Sequence, residues 1–126
     1  MHEAVLLINF KDQKKLRMIQ GVLMANKIKM KKVSKEEYAQ SVGYLLGMNE
    51  LYIEDAVYEG DEFEKEMMVF AGFSNSRLNQ VLNMMYKKKI SKTDYKAMLT
   101  QTNAPWPVID LYNELAEEHA RMNSPK

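Results

Sequence analysis

The sequence predicts an α/β fold: two βαβα halves forming a four-stranded, mostly parallel or mixed sheet layered with helices. Three observations carry this. Apolar patterning alternates along the chain between the strand and helix periods. Two apolar runs stand 63 residues apart, Ala4-Val5-Leu6-Leu7-Ile8-Asn9-Phe10 and Met67-Met68-Val69-Phe70-Ala71-Gly72-Phe73. Shifted by one residue, the match continues: Leu16 with Leu78, Ile19 with Val81, Leu23 with Met85 and Ile28 with Ile90. Such spacing reads as an internal duplication. It divides one domain, 1–126, into a first half (1–47), an acidic connector (48–65) and a second half (66–126).

Each element has its own signal. Residues 4–10 form a nearly continuous apolar run, as a strand buried on both faces does. From Asp12 to Asn26, Leu16, Ile19, Leu23 and Met24 recur at helical spacing, with Asp12 as N-cap and Asn26-Lys27 at the end. Ile28 to Val33 alternates apolar residues with lysine, a strand with one wet face. Residues 35–46 read as a helix with Tyr38, Val42, Leu45 and Leu46 inward, a Ser34/Glu37 capping box and Gly47 as its stop. In the second half, 66–72 is a strand and 75–88 a helix capped by Ser74, with Leu78, Val81, Leu82 and Met85 inward. Residues 95–99 form a short strand. The last helix, 107–122, carries Val108, Leu111, Tyr112, Leu115, His119 and Met122 on one face. Trp106 is pushed out of helical geometry by the following Pro107, itself a good first helical residue.

Alternating strands and helices argue for strands paired in parallel within each half. The order between the halves stays open, and an antiparallel arrangement of the two βα units also fits. Glu50 to Glu66 holds 8 of the 17 acidic residues together with Tyr52, Tyr58 and Phe63. Three aromatics argue for an ordered connector packed on the domain.

Bulk composition narrows the function classes. At 46% hydrophobic and 28% charged, the 126 residues are ordinary for a globular protein, and a net charge of +1 gives no global attraction to nucleic acid or anionic membrane. Without cysteine there is no disulfide, thiol nucleophile or thiolate metal site, which fits a cytoplasmic protein. The Met1-His2-Glu3 start lacks signal-peptide character, and the longest apolar run is too short for a membrane span. The 11 methionines sit mostly within apolar stripes and read as core filler.

The foremost candidate site is the polar segment Thr100-Gln101-Thr102-Asn103-Ala104-Pro105-Trp106. It leaves a strand's carboxyl end just before a helix start, where ligands collect in open α/β sheets. Thr100, Thr102 and Asn103 offer oriented hydrogen bonds and Trp106 one wall. Read structurally, the same residues are a turn and caps. Gly72, Phe73, Ser74 and Asn75 form the matching turn after the third strand, and Asn9 joins them if the strands are parallel. Lys96 is placed to point toward the same edge, or else to be a solvated strand-face lysine. The lysine groups 27–32 and 87–92 follow helices and would both fall on the opposite edge, meeting helix dipoles. Exposed aromatics for base stacking are not evident beside them, which weighs against nucleic acid. His2 and His119 stand alone, His119 reading as a packed residue. No ligand spacing or catalytic order occurs, so no metal, cofactor or catalytic residue is assigned.

The second half resembles an uncharacterised bacterial domain family, one filed as a domain of unknown function. The resemblance covers about residues 66–122. It rests on Met68-Val69-Phe70-Ala71-Gly72-Phe73-Ser74, Lys96-Ala97-Met98-Leu99-Thr100, Thr102-Asn103, Trp106 and Leu111-Tyr112-Glu114-Leu115-Glu118-His119. The Lys-Ala…Leu-Thr…Thr-Asn…Trp string is its most specific part. It implies a small cytoplasmic bacterial protein and carries over no activity. The expectation is a non-enzymatic binding or regulatory module for a small molecule or peptide. The alternative is an interaction protein, a homodimer through a sheet edge or its Met-rich helices.

Overall fold

The computed structural model describes residues 2–122. Residues 123–126 of the expected second half lie outside the described residues, as does Met1. Four strands, β1 (Ala4–Ile8), β2 (Lys29–Val33), β3 (Met67–Ala71) and β4 (Tyr95–Met98), form one mixed sheet in the order β2-β1-β3-β4. The pairs β1/β2 and β3/β4 are parallel, and the central pair β1/β3 is antiparallel. Of the two arrangements left open by the sequence, the mixed sheet is the one adopted.

The apolar run of β1 explains its central place. Val5 and Leu7 point to one face, Leu6 and Ile8 to the other, and all four are buried. β3 is buried at every residue. On the first face lie α1 (Gln13–Ala25) and α3 (Asn75–Lys87), packing Leu16, Ile19, Leu23, Val81 and Met85 against Val5, Leu7, Met68 and Phe70. On the second lie a 3-10 helix (Lys35–Ala39), the short α2 (Val42–Leu45) and α4 (Val108–Met122), burying Tyr38, Val42, Val108 and Leu111 against Leu6, Ile8, Met67 and Val69.

Asp12 caps α1 by accepting from the Lys15 N–H at 3.1 Å, and Ser74 caps α3 by accepting from the Arg77 N–H at 3.1 Å. The expected single helix over 35–46 is broken in two. The capping box of Ser34 and Glu37 is present, but it opens a 3-10 turn. At the break, Gln40 Oε1 accepts from the N–H groups of Ser41 (2.9 Å) and Ile53 (2.8 Å), and Ser41 Oγ donates to Leu51 O at 2.7 Å. Side chains that bond a distant backbone in this way replace helical hydrogen bonds.

The same bonds order the connector. Tyr58 N–H donates to Glu36 O (3.0 Å), and Phe63 lies between two parallel rings, Tyr38 at 4.0 Å and Tyr112 at 3.8 Å between centroids. Phe63 thereby clamps the connector to the second face, in agreement with the expectation of an ordered, packed segment.

Candidate ligand-binding site

The carboxyl ends of β3 and β4 share one edge of the sheet, so Gly72–Asn75 and Thr100–Trp106 are neighbours there, as expected. Gly72 supplies a positive φ of 79°, and buried Phe73 meets Phe70 edge-on. The longer segment is closed on itself. Asn103 Oδ1 accepts from the Thr100 N–H at 2.9 Å, Thr100 Oγ1 accepts from the Asn103 N–H at 3.0 Å, and Asn103 Nδ2 donates to Met98 O at 3.0 Å. Asn103 is buried, with both its amide oxygen and its amide nitrogen hydrogen-bonded. Backbone bonds then strap the segment to α2: the Gly43 N–H donates to Ala104 O (2.8 Å) and the Val42 N–H to Trp106 O (2.9 Å). A Cβ on Gly43 would stand 2.9 Å from Ala104 O, so glycine is what allows this approach. Trp106 is half-buried against the second-face core, and Thr102 is exposed. In this segment the turn geometry prevails over an open polar cleft.

Two expectations are corrected by the antiparallel central pair. Asn9 lies at the opposite edge, because β1 runs against β3. There, with φ of 60°, it donates to Phe63 O (2.7 Å) and Lys65 O (3.1 Å), fastening the connector. The lysine groups do not share an edge either. Residues 27–29 enter β2 beside the start of β1, at the Gly72 edge, while 87–92 precede β4 at the Asn9 edge.

Lys96 is brought to neither edge. Its register partner is Met68, so it faces α3 together with Met98. It lines a cavity of about 260 Å³ between α3 and the loop entering β4. Met68, Leu82, Met85 and Ile90 give the apolar wall; Asn83, Ser91, Lys92 and Thr93 are the polar groups beside Lys96. The loop is set by Lys89 at φ 60° and by the Ile90 N–H bonding Met85 O at 3.1 Å, which turn the chain off the end of α3. Buried Thr93 has a soft partner for its hydroxyl, Met68 Sδ at 3.4 Å.

Charge in this cavity is one-sided. Lys15 is buried and answered by Glu66 (2.5 Å), and its ammonium also donates to Lys92 O at 3.2 Å. Among the described residues no carboxylate pairs with Lys92 or Lys96. Burial lowers the Lys96 pKa below the usual lysine range, with the like charges of Lys92 and Lys15 adding to the effect. Thr93 escaped notice in the sequence, and Lys92 was read only as part of a lysine run at a helix end. The usable signal was strand parity, which puts Lys96 on the same face as Met98.

A second cavity, about 220 Å³, opens at the carboxyl ends of β1 and β2 beside Asn9, Lys32, Lys35, Tyr38 and Glu62. Its buried phenol is answered by an exposed carboxylate. Tyr38 donates to Glu62 Oε1 at 2.7 Å, and burial together with that carboxylate raises the phenol's pKa. His119 meets Tyr95 at a 60° tilt, ring centroids 4.7 Å apart, from an exposed position on α4, so it is less enclosed than its stripe implied. Among the described residues no three His, Asp or Glu side chains gather as a metal site, and no helix is long and apolar enough to cross a membrane.

Fold and cavity together define a small three-layer α/β protein with a lysine-lined cleft on one face. Residues 66–122 match the family described as a Domain of unknown function (DUF3783), the stretch that holds β3, α3, β4 and α4. Comparison with curated proteins and with solved structures finds no match.

Proposed function

We propose that the protein is a non-enzymatic binding module, and that its site is the cavity between α3 and β4, where Lys96 and Lys92 receive an anionic group of a small molecule. One observation carries this: two lysines without carboxylate partners among the described residues line a cavity that has an apolar wall of Met68, Leu82, Met85 and Ile90. Two like charges beside an apolar wall raise each other's free energy, and a bound anion relieves both. Thr93 and Ser91 can add hydroxyl contacts. Chemical-shift changes on titrating acetate and inorganic phosphate test the proposal. They are expected in residues 82–96 and to weaken in Lys96→Gln; absence of any response to either anion sinks it.

A second reading is an interaction protein that forms a homodimer. It is favoured by the unequal sheet edges. β2 is guarded by Lys29, Lys31 and Lys32, whereas the other edge strand, β4, has Lys96 alone beside Ala97 and Met98. Light scattering over a concentration series separates the two: a dimer that Ala97→Pro converts to monomer supports it, and a monomer throughout excludes it.

A further inference from the structure

The binding reading above leaves open what kind of anion the cleft takes, and a second hollow bears on that. Next to the lysine-lined cavity lies a smaller one of about 100 Å³, formed by Phe70, Leu78, Leu82, Ala97 and Met98 with Lys96. The two share Leu82 and Lys96. Lys96 is thus the wall between them, its methylenes toward the apolar hollow and its ammonium available to the polar one, as long amphipathic side chains arrange themselves. We infer, resting on that reading, that the site takes a short-chain carboxylate, with the head on Lys96 and Lys92 and the tail in the hollow beneath Leu78 and Leu82.

The head group follows from what surrounds the lysines. Lysine binds phosphate as a point charge, but such sites commonly add a helix N-terminus or the forked guanidinium of arginine. Here the neighbouring helix presents Leu82, Asn83, Met85 and Tyr86, its C-terminal half, whose dipole opposes a doubly charged group. No arginine lines either cavity. A singly charged head fits this field better. The tail follows from size: the hollow, about 100 Å³ against about 260 Å³ for the lysine-lined cavity, suits a short apolar chain. Its lining is almost wholly apolar.

The test titrates the full chain with acetate, butanoate, hexanoate and octanoate, with hexylamine and inorganic phosphate alongside, followed by amide chemical shifts. The expected result is a Kd that falls about fourfold per methylene, levels off once the hollow is filled, and shows no response to hexylamine. Lys96→Gln should weaken the whole series on the order of tenfold without changing its slope. Leu78→Trp, which fills the hollow from a residue that does not line the lysine cavity, should flatten the slope and leave acetate binding in place. If Leu78→Trp does not fold, the wild-type slope decides alone. A flat slope with acetate still bound overturns the short-chain inference and leaves the anion site standing, as does phosphate binding more tightly than hexanoate. Silence from every carboxylate and from phosphate overturns both. Equal binding of hexylamine and hexanoate overturns the role of the lysines.

Discussion

Leu6 and Val69 face each other across the antiparallel central strands, and both are fully buried. They are also the residues that the alignment of the two halves equates, since 69 − 6 = 63 is the spacing of the apolar runs. The strands therefore cross at equivalent points, and α1/β2 and α3/β4 are disposed alike about that crossing. Leu6→Ala removes the side chain at the centre of the sheet. Urea denaturation should show a loss of about 2–5 kcal/mol. In a double-mutant cycle with Val69→Ala the two effects should couple rather than add.

Lys15 and Glu66 give a sharper test, because they form a nearly buried pair with side chains 9% and 16% exposed. Glu66→Ala strands the ammonium among Phe10 and the Lys92 carbonyl, and should cost about 3–5 kcal/mol. Lys15→Met with Glu66→Leu removes both charges and should recover most of that loss, because neither partner is left unpaired. Equal destabilisation by the single and the double variant would mean that the pair is not what holds this edge.

Asn103 is a fastening in this structure. Asn103→Ala deletes bonds to Thr100 and Met98 and leaves the Thr100 N–H without its side-chain acceptor, for a loss of about 1–3 kcal/mol. Thr102→Ala, at an exposed position, should stay within about 0.5 kcal/mol of wild type. Neither should alter acetate binding. Loss of binding with unchanged stability in Asn103→Ala would return the site to the sheet edge.

The pH dependence of Lys96 has a definite sign. Its folded pKa lies below its unfolded value, so between the two the unfolded chain binds more protons and stability rises with pH. Below the folded pKa the unfavourable contribution is fully present; it is relieved as pH climbs through that value toward the ordinary lysine range. Lys96→Met should therefore be the more stable protein at neutral pH, with the gap closing under alkaline conditions in parallel urea titrations. Anion binding should fade over the same alkaline range, as the ammonium loses its proton. A gap independent of pH would assign the difference to packing.

How much of this was legible in the sequence varies by element. β1, α1, β2, β3, α3, β4 and α4 announce themselves through local period and caps, and Asp12, Ser74 and Gly72 do the local work their residue types predict. The break at Gln40-Ser41 does not, because its cause lies 10 and 13 residues away at Leu51 and Ile53. Strand order between the halves was open for a similar reason. β1 and β3 are apolar on both faces, and such strands carry no mark of direction. That single undecided pairing moved Asn9 and one lysine group across the molecule. Among the candidate residues, Lys96 was read as pointing to a sheet edge or as a solvated strand-face lysine, and it lies on a sheet face, half-buried rather than solvated. Thr100 and Asn103 were read both as ligand contacts and as a turn, and they are bonded to each other as in a turn.

The complete burial of β3 has a consequence for the 66–122 stretch taken by itself. Cut from the first half, it would present Met67–Ala71 as a bare apolar margin with an unfilled row of amide and carbonyl groups. Another copy of the same stretch offers the nearest substitute for β1: it could cross at Val69 in the antiparallel sense, each copy lending the other its missing neighbour. What stands as an internal seam in this chain would there become a subunit boundary.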